Sequence, residues 1–297
     1  MMIQSVGWRN TGKPFMKVSF LHDEQSHFSF RGTFSIKISQ KKKKCIGYYD
    51  TLQDDYISCA SELEDSNKSQ CSVCAKKGEV FWKNIHSLNI DQRVFLQAIP
   101  TTNYLAVFPG GKLKTGVALT TRRESRVLEQ GALYAIFFTS TDGVTARHIE
   151  EDISQKLSIT QSLSWKQKLM KIKDVPSESI AFQTLNETIE KYKITSLYTN
   201  HFGTIEKYDA QKMFDFPFNK IEREIVFLSK LTYGEELSGE YIGLYGTIMI
   251  FMYDSKIYAI DIRSLLGFTI DIKGGGLVNV SERYLHNITL ERNQRLL

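Results

Sequence analysis

The stretch from Asn103 to Leu157 restricts the fold more than any other part of the chain. It opens with Asn103-Tyr-Leu-Ala-Val-Phe108, a short apolar run that reads as a buried strand. Pro109-Gly110-Gly111 marks a tight turn. In the following Lys112–Ala118, the residues Leu113, Thr115 and Val117 share one face, and Lys112, Lys114 and Gly116 share the other. Thr120-Thr121 offers an N-cap to a basic helix, Arg122–Gln130, which Gly131 is placed to stop. Leu133–Phe138 reads as a third strand. Asp142-Gly143 then restarts a helix, in which Ala146, Ile149, Ile153 and Leu157 recur at helical spacing. The expected order is strand, hairpin, strand, helix, strand, helix.

That order, with a tyrosine on the first strand and a glycine ending the second, resembles the core of the GIY-YIG nucleases. Tyr104 matches the tyrosine of the first signature strand, and Lys114-Thr115-Gly116 stands where the Tyr-Ile-Gly triplet belongs. Ala146-Arg-His-Ile-Glu150, followed by Ile153, resembles the helix that supplies the superfamily's metal-binding glutamate. The departure is Lys114 in place of the second tyrosine. The resemblance implies a divalent-metal-dependent phosphodiester hydrolase acting on DNA or RNA.

A longer resemblance is to an uncharacterised bacterial family. It is carried by Leu113-Lys-Thr-Gly-Val-Ala118, Arg126-Val-Leu-Glu-Gln-Gly-Ala132, Ile149-Glu150, Ser164-Trp165-Lys166 and Leu169-Met170. A cysteine cluster upstream and a Gly-rich β segment downstream complete that pattern, which runs from residue 40 to residue 272. It implies an architecture and names no activity.

All four cysteines lie in one window: Cys45, Cys59, Cys71 and Cys74. Cys71-Ser-Val-Cys74 is a knuckle that lets two thiolates reach one ion, whereas Cys45 and Cys59 are split. Tetrahedral zinc takes four such ligands, and a closed set of four thiolates points to a structural ion. Two disulfides or unligated core thiols are the alternatives. Lys41–Lys44, just before, reads as a solvated strand end or as a phosphate contact beside the metal module. Phe81-Trp82 and His86, in the connector after the module, read as a packed pair and a surface histidine.

Phosphodiester hydrolysis needs a water, a base, positive charge on the phosphate and usually a divalent ion. Tyr104 is the candidate base or water-positioning group, and Glu150 the candidate ligand for Mg²⁺ or Mn²⁺. Arg126 is the candidate phosphate clamp, with Arg122 and Arg123 as further substrate contacts. Lys114 would neutralise phosphate charge. The bland readings are a core-edge tyrosine, a helix-surface acid beside Glu151 and Asp152, and a solvated basic face; His148 reads as exposed.

Around this core, strict alternation at Met16, Val18 and Phe20, and again from Phe28 through Phe30, Phe34, Ile36 and Ile38, predicts half-buried strands. Ser164–Met170 reads as a helical segment with Trp165, Leu169 and Ile172 on one side. Ser177 caps another helix to about Lys193, with Ile180, Leu185, Ile189 and Tyr192 inward. From Ile194 the period returns to two. Glycines at 239, 243 and 246, a turn at Asp254-Ser255 and a loop at Gly274–Gly276 suggest a small barrel or a strongly bent sheet. The triple glycine fits no nucleotide fingerprint.

The expected fold class is therefore α+β: an N-terminal β segment (1–44), a four-cysteine zinc module with its connector (45–99), a GIY-YIG-like core with following helices (100–193) and a β-rich C-terminal domain (194–297). The N-terminal strands are candidates to join that last sheet. A net charge of +5 permits a nucleic-acid partner without demanding one. No leader pattern opens the chain, and the longest apolar run, Tyr241–Tyr253, is too short to cross a bilayer. A cytoplasmic protein with no membrane partner is the expectation. Three function classes remain open: a nuclease, a zinc-bearing nucleic-acid binder with a degenerate core, and a protein-interaction or regulatory module.

Overall fold

A computed structural model of the chain describes residues 2–8, 14–19, 25–28, 32–51, 55–59, 61–63, 68–79, 85–214, 216–218, 221, 224–273 and 285–288. Phe20, Phe30, the Phe81-Trp82 pair and the Gly274–Gly276 loop lie outside them. The chain divides into two compact units, Met1–Glu79 with Asp215–Thr289, and Val80–Phe214 with Leu290–Leu297. Both mix helix and strand.

The first unit opens with β1 (Met2–Trp8), β2 (Pro14–Ser19) and β3 (Gln25–Phe28), an antiparallel three-stranded meander. β4 (Thr33–Ile38) belongs elsewhere. A two-stranded ribbon, β5 (Tyr48–Asp50) and β6 (Asp55–Ile57), and the helix α1 (Ser72–Glu79) follow it.

The second unit contains α2 (Ile90–Gln97), β7 (Pro100–Phe108), β8 (Lys112–Leu119), α3 (Arg123–Gln130), β9 (Tyr134–Thr139) and the short β10 (Thr141–Asp142). The helices α4 (Gly143–Leu157), α5 (Trp165–Met170) and α6 (Glu178–Thr195) come next, and then β11 (Phe202–Asp209). β7 pairs antiparallel with both β8 and β9, and β11 extends the sheet beyond β9. β7 and β9 are buried almost residue by residue, as strands covered on both faces must be. α4 packs on β7 and β8, and α6 on β9 and β7.

The chain returns to the first unit with β12 (Ile225–Leu228), β13 (Glu236–Tyr245), β14 (Ile248–Tyr253), β15 (Lys256–Asp261), β16 (Ile270–Lys273) and β17 (Leu285–Ile288). These six take in β4 to form one mixed sheet of seven strands, in the order β16-β4-β13-β14-β15-β12-β17. β4 thus lies between β16 and β13. Asp254 and Ser255, both at positive φ, form the two-residue turn between β14 and β15. The register shifts between Tyr241 and Gly243, a bulge at the glycine-dense place the sequence marks.

Several local expectations change. Thr120 and Thr121 lie in a short 3-10 turn, and α3 starts at Arg123 with no side-chain cap. Ile180 is 60% exposed, while Ala181 and Phe182 join Leu185, Ile189 and Tyr192 on the buried side of α6. One position of phase on a helix is a rotation of roughly 100°, so the first apolar residue of a pattern, Ile180, is easily assigned to the wrong face. β11, read with the C-terminal strands, pairs instead with β9.

Candidate functional site

The candidate site of the second unit is built on the β7–β8 hairpin. Tyr104 and Gly116 are register partners across it. A Cβ at position 116 would stand 2.3 Å from both Cζ and the hydroxyl oxygen of Tyr104, so only glycine leaves room for the ring. Tyr104 is 1% exposed, and its buried hydroxyl is satisfied. Gln130 Nε2 donates to it at 2.8 Å and Lys114 Nζ at 3.3 Å. Lys114 also donates to Gln130 Oε1, which closes a triangle of three side chains.

Neighbouring elements hold that triangle. Gln130 ends α3, where Gly131 adopts φ +75° as the left-handed cap. Lys168 Nζ donates to the Gln130 carbonyl at 2.6 Å. α4 is started by Asp142, whose carboxylate accepts from Val144 N and Thr145 N at 2.9 Å each. Asn103 Nδ2 donates to Ala146 O at 2.7 Å and pins α4 to β7. One turn further on, Glu150 comes within the field of Lys114.

The electrostatics follow from burial. Burial pushes the Glu150 carboxyl up to about 7, against the pull of Lys114, Arg147 and Arg126. It pushes Lys114 down to about 8, with Arg126 acting in the same direction and Glu150 opposing. Tyr104 is raised to about 12, first by burial and then by Glu150, while Arg126 and the Gln130 hydrogen bond work against the rise. Arg147 is lowered by burial and held up by Glu150. Thr115 Oγ1 is buried with no hydrogen-bond partner among the described residues. A carboxylate and an amine that both change charge near neutral pH, beside guanidinium groups, suit proton transfer and anion binding.

The other predicted contacts lie around this group. Arg126 and Arg122 both reach Glu129, at 3.8 and 3.0 Å. Arg123 is drawn elsewhere: it pairs with Glu206 on β11 at 2.5 Å and lies 4.8 Å over the Phe137 ring. His148 is half-buried, with its ring 6.4 Å from that of the exposed His86. Gln130 and Arg147 were not singled out from the sequence. The signals were available, since Arg147 precedes Glu150 by three on one helix face and Gln130 precedes the helix-stopping glycine.

The first unit carries the cysteine cluster. Cys45 precedes the β5–β6 ribbon and Cys59 follows it, so the ribbon's antiparallel pairing brings the split pair together. Gly47 makes the approach possible at φ +83°, since a Cβ there would lie 1.9 Å from Ile57 O. Its N–H donates to Cys45 Sγ at 3.4 Å, and Cys71 N–H does so at 3.2 Å. Cys71 and Cys74 straddle the start of α1. All four sulfurs lie within 4.8 Å of one another, and none is in a disulfide. Ser61 holds the Cys59 thiol down at about 7, and burial pushes those of Cys45 and Cys74 up. Four thiolates about 2.3 Å from one centre stand roughly 3.8 Å apart. A small inward movement of the sulfurs meets that geometry, so the donor set fits a metal ion.

Fold and sites together define an α+β protein with a four-cysteine cluster able to hold a metal in one unit and a buried polar cluster in the other. The chain belongs to the family described as protein of unknown function DUF2797, whose model matches residues 35–270. Comparison with curated proteins and with solved structures found no match. Among the described residues no helix is long and apolar enough to cross a membrane.

Proposed function

We propose that the second unit is a metal-dependent phosphodiesterase acting on DNA or RNA, and that the four cysteines hold a structural zinc. What supports this reading is the meeting of Tyr104, Lys114, Arg126 and Glu150 from β7, β8, α3 and α4. Tyr104, Lys114 and Glu150 stand at positions of the resemblance to the GIY-YIG nucleases, Lys114 as its departure; Arg126 belongs to the longer family pattern, and Arg147 joins them.

Lys114 stands where the second signature tyrosine would be. Burial leaves its amine part-neutral near pH 8, so it can accept a proton from an attacking water, directly or through the Tyr104 hydroxyl it bonds. Gln130 fixes both groups through its amide. Arg126 and Arg147 supply positive charge to the phosphate. Glu150, ionised above about pH 7, is the ligand for Mg²⁺ or Mn²⁺. The bound ion would supply Lewis-acid stabilisation of the charge developing on phosphate.

The test uses the purified chain on labelled single-stranded, duplex and branched DNA and on RNA, with Mg²⁺ or Mn²⁺ and with chelator. Cutting that requires the ion and is absent in Glu150→Ala supports the reading; cutting that persists in Glu150→Ala removes it. One observation favours a second reading, binding without cleavage: the Tyr104 hydroxyl is deeply buried and already receives two hydrogen bonds. That reading expects salt-sensitive binding, weakened in Arg126→Ala, and no cutting.

A further inference from the structure

The first unit contains a basic cavity with no part in the arrangement around Glu150. Where the chain leaves β4, Lys41–Lys44 runs beside the turn that follows β15. Lys44 N donates to Gly267 O at 2.8 Å, and Lys43 Nζ donates to Ser264 O at 3.2 Å. Lys43 is 4% exposed, and its ammonium lies 4.5 Å over the Phe268 ring. The opposite wall is fixed where Gly234 N donates to Ile38 O at 3.2 Å and Thr232 N donates to the Glu235 carboxylate at 2.6 Å. Between them lies a cavity of about 430 Å³ whose lining includes Lys41, Lys43, Lys230, Arg263, Tyr233 and Ser264, with no Asp or Glu among the described residues. Arg263 is steadied by Asp261 at 2.5 Å. Tyr233 is 58% exposed. Ser264 Oγ is buried and has no hydrogen-bond partner among the described residues.

We propose that this cavity binds a nucleoside phosphate, with the phosphate among Lys41, Lys43, Lys230 and the Ser264 hydroxyl and the base against Tyr233. Lys41, Lys43, Lys230 and Arg263 all line it, and although Asp261 pairs with Arg263 the balance selects an anion. The volume lies in the range of small-ligand sites. An exposed aromatic at the rim accepts any base through its π face. The same chemistry is offered by a free mononucleotide and by one nucleotide of a single strand. The site needs no chemistry at Glu150 and stands or falls apart from it.

The test is calorimetric titration of the full chain with AMP, with a short oligothymidylate and with inorganic phosphate. Tyr233→Ala should weaken nucleotide binding about tenfold and leave phosphate binding unchanged. The double variant Lys41→Glu, Lys230→Glu should abolish binding of both AMP and inorganic phosphate. Thermal melts of each variant establish that it is folded; Lys43 is left in place because it is buried. Tighter binding of AMP assigns the site to free nucleotides, and binding of the oligonucleotide alone assigns it to single strands. The proposal is overturned if neither binds, if AMP binding survives the charge reversals, or if Tyr233→Ala has no effect. Oligonucleotide binding that ignores the charge reversals but falls in Arg126→Ala would remove this site and leave the reading of the second unit intact.

Discussion

Lys114 shows what one buried side chain does at once to stability and to chemistry. Its amine titrates near 10.5 in the unfolded chain and near 8 in the folded one. Between those values the unfolded state binds more protons, so this residue's contribution to stability improves as pH rises from about 8 to 10.5, and below 8 its full cost is present. Lys114→Met should therefore raise Tm at pH 7, by an amount that shrinks towards pH 10. A Tm gain that is flat with pH, or a loss at pH 7, would sink the assignment. If the phosphodiesterase reading holds, wild-type rate should climb with pH through about 7 and again through about 8 as Glu150 and Lys114 lose their protons, and Lys114→Gln should lack the second rise. Gly116 is the second residue-scale test. Gly116→Ala drives a Cβ into the Tyr104 ring and should cost about 1–3 kcal/mol in denaturant unfolding. Combining it with Tyr104→Leu should cost less than the sum of the two, and strict additivity would mean that the ring does not set the need for glycine.

At the scale of elements, the legible parts were those whose signal is local. The β7–β8 hairpin, α4 and the Asp254-Ser255 turn each announce themselves within about ten residues, through period, caps and turn residues. Tyr104, Lys114 and Glu150 could be named because one resemblance marked their positions, and Arg126 because a second, longer one did. Arg123 could not be placed that way: its partner, Glu206, lies 83 positions along the chain. The gathering of all four cysteines was expected from the count of thiol donors, but the two-stranded ribbon that brings Cys45 to Cys59 was not, because it is too short to give a period. If the four cysteines hold zinc, as proposed, the ribbon and α1 form with them one element whose stability should depend on that ion. Stripping metal with a strong chelator should lower the first melting transition, and zinc should restore it. Cys71→Ser should bind Co²⁺ with the thiolate charge-transfer absorption reduced by roughly a quarter, as expected when three sulfur ligands replace four. An unchanged melt after verified metal removal would return the cluster to reduced core thiols. α4 offers a smaller test: Asp142→Ala removes two hydrogen bonds to its first turn and should cost about 1 kcal/mol.

Across the whole molecule the decisive fact is the place of β4. Ser35 donates to the Glu236 carboxylate at 2.5 Å across 201 positions of sequence, and β4 pairs with β13 on one side and β16 on the other. Alternation in the sequence marked a strand there, and the strand-rich chain ends pointed it to the C-terminal sheet, but its particular partners β13 and β16 could not be named, because pairing partners so far apart leave no local trace. Phe34, Ile36 and Ile38 are almost wholly buried, so the strand contributes core as well as hydrogen bonds. Removing residues 1–40 would open two sheet edges and expose the apolar faces behind them, which is a larger injury than trimming a terminus. The described strands and helices of the second unit all lie between residues 85 and 213, outside that segment. The truncated chain should therefore lose amide-exchange protection from β13 to β16 while keeping it in β7 and β9. Intact protection of β13 in the truncated chain would show that the C-terminal strands close without β4. Loss of protection in β7 and β9 as well would show that the two units do not fold independently.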